Sequence, residues 1–375
     1  MNGIFGKVSQ IAEMFSIAGE CIDVSVIKAG HINNTYKAVF RHRNGYRHAY
    51  LIQRINSFVF KDSDKLMHNI VLVTGHLREK ILLAGGDINR EALSFLQAQD
   101  GKFYFRDEEG DDWRICHYID DTYSCDAIEN AEIFRSSGAA FGNFQKQLAD
   151  LPGEALYETI PDFHDTGKRF QALRAAIDYN AARRADSCAP EIAFAVERAA
   201  DCTVLTDLIK KKELPLRVTH NDTKLNNILF DKRTDRGICI VDLDTVMPGL
   251  SLYDFGDSIR FGANTAAEDE RDVSKVSLDM ELYRAYTEGY LSTAGSSLTQ
   301  KEAELLPFSA KLITLECGIR FLTDYLNGDT YFKTDYPEHN LVRCRTQFAL
   351  VADMERKMDA MCENNASAIR AQKEA

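Results

Sequence analysis

Between Arg217 and Asp257 the chain reads RVTHNDTKLNNILFDKRTDRGICIVDLDTVMPGLSLYDFGD, and few folds accommodate that order of apolar and polar runs. Val218 opens a short apolar approach. A polar loop from His220 to Asn227 follows, and Ile228-Leu229-Phe230 then resumes as a buried strand. Asp231 to Gly237 is a polar turn, and Ile238-Cys239-Ile240-Val241 reads as a second buried strand. The loop is therefore expected to hang between fixed strands, with the hairpin returning Asp242 beside Asn227. Taken singly, His-Asn-Asp would be a helix cap and Val-Asp-Leu-Asp a strand ending in acids. In this order and separation they point to chemistry.

Phosphoryl transfer from ATP needs a group that orients and deprotonates an acceptor hydroxyl, a cation on the phosphates, and oxygen ligands for magnesium. Asp222, Lys224 and the pair Asn227 and Asp242 supply these in turn, and Asn and Asp oxygens suit Mg2+. Their spacing resembles the H-R-D-L-K-x-x-N catalytic loop and metal-binding Asp of the kinase superfamily. The resemblance implies an α+β, bilobal protein kinase-like fold of the aminoglycoside phosphotransferase and choline kinase type, with an antiparallel-sheet N-lobe and a mainly helical C-lobe. Asp254-Phe255-Gly256 spells the metal-binding triplet of protein kinases, but it follows a Pro248-Gly249 turn instead of a buried strand. Asp254 resembles the residue that braces the catalytic loop in that superfamily, a structural role.

The length of 375 residues suits two lobes, and the pattern divides them near residue 120, giving 1–119 and 120–375. A helix over 4–18 precedes strands at 22–28, 35–41 and 48–55; a helix at 67–83 and strands at 93–96, 103–106 and 113–119 complete the first lobe. Tyr118 to Asp121 would be the hinge. Helices are expected at 127–149, 167–184, 190–212, 279–291, 301–326 and 337–361. A net charge of -12 argues against nucleic acid or an anionic membrane as partner. Nine cysteines without a C-x-x-C pair, and no apolar run long enough to span a bilayer, suit a cytoplasmic protein with reduced thiols. A monomer is expected, with a dimer as the alternative.

At the phosphate end, KAGHINNTYKAVF is a strand, a polar turn and a strand, so Asn33, Asn34 and Thr35 are candidates to cover ATP phosphates. The third strand, AYLIQRIN, lacks the usual Lys. Arg54 is the candidate replacement, as in choline kinases; a solvent-facing Arg54 is the alternative. At the acceptor end, Glu316, Arg320 and Asp324 recur at four-residue intervals beside an apolar helical face, with Tyr331 and Phe332 beyond a Gly328-Asp329 turn. They form either a sugar grip or a surface ion-pair ladder.

HNDTKLNN, VDLDTVMPGLSLYDFGDSIRFGANTAAEDE, GIRFLTDYLNGDTYF and PEHNLVRCRTQFALVADME, together with GHINNTYKAVF and LIQRIN, resemble the N-acetylhexosamine 1-kinases. These enzymes phosphorylate the anomeric hydroxyl of N-acetylglucosamine and N-acetylgalactosamine in bacterial amino-sugar salvage. The resemblance implies Asp222 as base, Asn227 and Asp242 as magnesium ligands, and Arg320 and Tyr331 as sugar contacts, with Asp324 and His31 in support. Two alternatives stand beside it. One is a kinase of another small alcohol, such as an amino alcohol, methylthioribose or an aminoglycoside, for which the acidic run AEDERD (267–272) could form a carboxylate wall. The other is a nucleotide-binding pseudokinase, suggested only by the missing Lys.

Overall fold

The computed structural model describes residues 2–27, 33–128 and 130–374. Helix α1 (Asn2–Met14) leads into strands β1 (Glu20–Ile27), β2 (Asn34–Arg41) and β3 (Arg47–Arg54). Helix α2 (Ser63–Leu83) then crosses to β4 (Phe105–Arg106) and β5 (Asp112–His117). The five strands pair antiparallel in the order β1-β2-β3-β5-β4. Period-two alternation divides this sheet into two faces. Ala38, Phe40, Tyr50, Ile52, Trp113 and Ile115 pack against Val8 and Ile11 of α1 and Phe15 just beyond it. Leu51 and Cys116 point the other way, into a larger core with Leu66, Ile70, Val73 and Leu77 of α2. Asp62 caps α2 by accepting from the Lys65 amide. The strand expected at 93–96 is reduced to one bridge, Phe95 to Cys116, because β4 already fills the edge beside β5.

Beyond the sheet, β6 (Thr122–Tyr123) is followed by α3 (Ala131–Gln147), α4 (Thr166–Tyr179), α5 (Ala189–Glu197) and α6 (Val204–Lys210). Next come β7 (Arg217–Thr219), β8 (Ile228–Asp231), β9 (Gly237–Ile240) and β10 (Met247–Gly249). Helices α7 (Ser251–Gly262), α8 (Met280–Ala294), α9 (Gln300–Asn327) and α10 (His339–Glu374) end the chain. This is the bilobal protein kinase-like architecture that the catalytic spacing implied. β8 pairs with both β6 and β9, so the segment joining the lobes is stitched to the catalytic hairpin. The single helix expected over 190–212 is broken. Arg198 lays its guanidinium on the Phe194 ring at 3.4 Å and forks onto Glu355 of α10 at 2.9 and 2.7 Å. No breaker residue marks that point, and tertiary contacts override propensity there.

Helix α9 is the spine of the second lobe. Thr299 and Glu302 form a capping box at its start, and Arg217 of β7 donates to Glu302 at 2.8 Å. Midway along, Gly256 of α7 faces Ser309: a Cβ at 256 would stand 2.6 Å from the Ser309 carbonyl oxygen, so α7 and α9 touch backbone to backbone. A second core of Leu173, Leu315, Ile319, Leu322 and Phe348 joins α9 to α4 and α10. All nine cysteines are free. Among the described residues no helix is long and apolar enough to cross a membrane.

Candidate active site

The loop carrying Asp222 is held from below by α7. Asp254, fully buried, accepts from the amides of His220 (2.9 Å) and Asn221 (2.8 Å) and from the Gln145 side chain (2.7 Å). Burial raises the pKa of Asp254, and the His220 ring and these donors only partly offset it. Asp257 accepts from the Thr223 amide at 3.0 Å, and Ser258 donates to the Thr223 carbonyl at 3.0 Å. Asn221 turns the chain through left-handed backbone (φ 65°), and its side chain donates to the carbonyl of Thr245 at 2.9 Å. The His220 ring accepts from the Asp222 amide at Nδ1 (3.3 Å) and donates to the Val241 carbonyl from Nε2 (2.9 Å). Asp254 thus sits inside a helix and grips loop amides, far from the metal-ligand position its triplet would suggest.

Within this frame Lys224 Nζ lies 2.7 Å from Asp222 Oδ1. Burial works to lower the Lys224 pKa, but the charges of Asp222 and Asp257 outweigh it and the pKa is raised. Asn227 donates its amide nitrogen to the Asp222 carbonyl at 2.8 Å and to Asp222 Oδ2 at 3.1 Å, which leaves its Oδ1 to serve a cation. The hairpin closes on the Val241 amide, which donates to the Asn227 carbonyl at 2.9 Å, and Asp242 follows in left-handed backbone (φ 58°). Burial, then the nearby carboxylates of Asp244 and Asp222, push the Asp242 pKa up to about 7. A buried carboxylate facing two others is a site short of positive charge, and this all-oxygen set suits a magnesium ion.

The phosphate end departs from expectation. Arg54 shares its sheet face with Ile52, the face that α1 covers, and it pairs with Asp111 at 2.8 Å. Asn34 stands directly across from Arg54, and its side-chain oxygen accepts from Arg54 Nη2 at 2.6 Å. Both residues therefore point away from the Asp222 side. Thr35 is buried, its hydroxyl accepting from Gln53 at 3.2 Å, so it serves the sheet. Asn33 alone of the three reaches the catalytic segment, donating to Asp244 Oδ2. His31 lies outside the described residues. A buried cation on the cleft side, beside Gln53, comes from β5. Arg114 is paired in register with Gln53, is buried, and is ion-paired with Asp244. Its neighbourhood, WRICH, reads as an ordinary strand, and only the register with β3 could have signalled it.

At the acceptor end the carboxylates of α9 are buried and already engaged. Glu316 accepts from Thr166 Oγ1 at 2.6 Å and pairs with His164 Nδ1 at 2.7 Å. Burial opposes its ionisation, but His164 and Arg320 hold its pKa below the ordinary value. Asp324 is spent on the fold: its two oxygens accept from the amides of Thr330, Tyr331 and Phe332 and from Asn340 Nδ2, at 2.8–2.9 Å. Nor is there a surface ladder, since Arg320 turns to the Phe163 and Phe332 rings at 5.3 and 5.5 Å. Arg169 donates to the Phe163 carbonyl at 2.9 Å, and burial followed by the Arg320 charge depresses its pKa. Tyr331 is 65% exposed at the rim, its ring edge on Phe332. His164 Nε2, 3.4 Å from the Asn221 carbonyl, connects this mouth to the catalytic loop. The acidic run supplies no free wall. Glu268 is paired with Arg260 (2.9 Å) and Arg343 (3.7 Å), Asp269 with His339 (3.5 Å), and Asp272 caps a short turn.

The sequence pattern of the phosphotransferase enzyme family matches residues 93–296, more than half of the chain. Among solved structures, amicoumacin kinase in complex with AMP-PNP, Ca2+ and amicoumacin is similar at 12% identity over 92% of each chain, with a TM-score of 0.56. Choline kinase from Cryptosporidium parvum is similar at 14% identity over 97% of this chain and 99% of that one (TM-score 0.54). Ethanolamine kinase from Plasmodium vivax is 15% identical over 86% and 80%, respectively (TM-score 0.52). At these identities the likeness is one of fold.

Proposed function

We propose, from the premise that this chain belongs to the phosphotransferase enzyme family, that it transfers the γ-phosphoryl group of ATP to the anomeric C1 hydroxyl of an N-acetylhexosamine. The observation that carries the acceptor half of this reading is the mouth beside the catalytic loop. Two arginines, Arg169 and Arg320, stand there among Phe163, Phe332 and Tyr331, and the nearby carboxylates are already engaged. Such a mouth repels a cationic amino alcohol or aminoglycoside. It suits a neutral ring whose hydroxyl and acyl oxygens accept hydrogen bonds and whose apolar face stacks on an aromatic side chain.

Asp222 takes the proton of the C1 hydroxyl as that oxygen bonds to the γ-phosphorus, and ADP departs. An anomeric hydroxyl is more acidic than an ordinary alcohol, so a carboxylate base suffices. Lys224, held by Asp222, is the cation positioned to follow the transferring group. Magnesium, held by Asn227 and Asp242, would neutralise charge on the phosphate oxygens. α7 keeps the loop amides fixed, so little reorganisation is needed at the moment of transfer.

A coupled ADP-release assay over a panel of sugars, amino alcohols and aminoglycosides tests this reading. The expected best acceptor is an N-acetylhexosamine, and phosphorus NMR of the product should show an anomeric phosphate. Preference for choline, ethanolamine or an aminoglycoside, or phosphate on a non-anomeric oxygen, would overturn it. ATP binding without transfer to any acceptor would favour the pseudokinase alternative.

A further inference from the structure

We propose that Arg114 and Asp244 form a positioning pair that anchors the antiparallel sheet to the turn presenting Asp242. This inference rests on the phosphotransfer reading above. On the cleft face β3 carries Gln53 next to Leu51, and the register sets Arg114 of β5 directly beside Gln53, Nε donating to Gln53 Oε1 at 3.0 Å. The guanidinium is 2% exposed, with Met67 Sδ of α2 at 4.0 Å and the Phe95 ring at 5.7 Å, so it cannot reach out to a ligand. A cation buried this deeply requires a counter-charge, and Asp244 Oδ1 provides it.

Asp244 is spent on both sides. Oδ1 goes to Arg114 and Oδ2 to Asn33, which in turn accepts from the Asn56 amide at 2.9 Å. Asp242 is thereby left as the carboxylate free to meet a cation. Its left-handed backbone is followed by a short helical turn, Leu243–Thr245, fixed at Asp244 by Arg114 and just beyond at Val246, whose carbonyl accepts from Asn69 of α2 at 2.9 Å. These clamps come from the first lobe, while Asn221 and His220 of the catalytic loop hold Thr245 at the end of the turn. The orientation of Asp242 therefore depends on how the sheet sits over the catalytic hairpin.

The test compares the wild-type chain with Arg114→Gln, Asn33→Ala and the exchange variant Gln53→Arg/Arg114→Gln. MgATP affinity is measured by calorimetry without acceptor, magnesium dependence and both KM values by steady-state kinetics, and folding by thermal melting. Arg114→Gln should weaken MgATP binding and raise the magnesium requirement by about tenfold or more, the usual cost of losing a residue that orients a metal ligand. The acceptor KM should move by less than about twofold, since nothing at the Arg320 mouth changes. Asn33→Ala, a peripheral change that spares the core, should shift the magnesium requirement in the same direction. The exchange variant, which moves the cation one strand across on the same face, should recover most of the loss. If Arg114→Gln fails to fold, Asn33→Ala and the exchange variant decide. Melting temperatures that fall while MgATP affinity and magnesium dependence stay at wild-type values in the folded variants would overturn the inference and leave an ordinary buried ion pair. A wild-type chain that binds no MgATP would overturn the phosphotransfer reading itself, and the inference with it.

Discussion

The loop that carries Asp222 and the mouth that carries Arg320 are built on opposite plans. In the loop, three backbone amides are taken by buried side chains of α7: His220 and Asn221 by Asp254, Thr223 by Asp257. In the mouth, the rim residue Tyr331 is mostly exposed, and Arg320 is held by ring faces, which tolerate small displacements. The groups that must hold one geometry during phosphoryl transfer are locked by hydrogen bonds to a helix. The groups that would select an acceptor rest on softer contacts.

Substitutions that should affect one region and spare the other test this contrast. The largest effect is expected from Asp222→Asn, which should lower kcat by roughly 10²–10⁴-fold, the usual worth of a positioned base. Calorimetry should show ATP binding nearly intact. Asp254→Ala strands three buried N–H donors at about 1–3 kcal/mol each. Chemical denaturation should show a loss of several kcal/mol, with activity falling alongside; a stable, active Asp254→Ala chain would contradict the locked-loop picture. Arg320→Ala should reduce kcat/KM for the acceptor by roughly 10–100-fold through stranded hydrogen-bond partners on the substrate. It should leave the KM for ATP unchanged, and stability should shift by only about 1 kcal/mol for the lost ring contacts.

The smallest effect concerns pH. The Asp242 pKa rises from the ordinary 3.8 to about 7 in the folded chain, so the protonated carboxyl is the form the fold prefers. In the metal-free protein this group favours folding at low pH, and that contribution is lost progressively as pH rises from about 4 through 7. Magnesium must displace that proton. Its stabilising effect should therefore be larger at pH 8 than at pH 6, by a few degrees in Tm, and the difference should disappear in Asp242→Asn.

What could be read from the sequence follows the same division. The catalytic hairpin is local: two continuous apolar runs and a polar turn, in which Asp231 accepts from the amides of Arg233 and Thr234, determine β8 and β9 together. Arg54 was chosen by its place in the third strand, but alternation gives only that Ile52 and Arg54 share a face. Which face looks into the cleft is decided by α1, far away in sequence. Arg114 was invisible for the same reason, because its meaning depends on the register with Gln53. Helical spacing aligns Asp324 with Arg320 and so suggests a part in the sugar grip. The partners of Asp324 are backbone amides of the following loop, which no side-chain pattern announces. The break after Glu197 had no sequence mark either, since it is imposed by Phe194 and Glu355.

The backbone contact between Gly256 and Ser309 constrains how such a chain can diversify. Helix α9 is clamped there against the floor of the catalytic loop, and Arg320 lies three turns further along the same rod. One residue inserted between Ser309 and Arg320 would swing the guanidinium by about 100° around the helix axis and out of the mouth. Acceptor choice can drift through substitutions at the rim and through the length of the loop after Gly328, but the eleven-residue interval before Arg320 is fixed by geometry. In a lineage of such proteins, that interval is where gaps would be rarest.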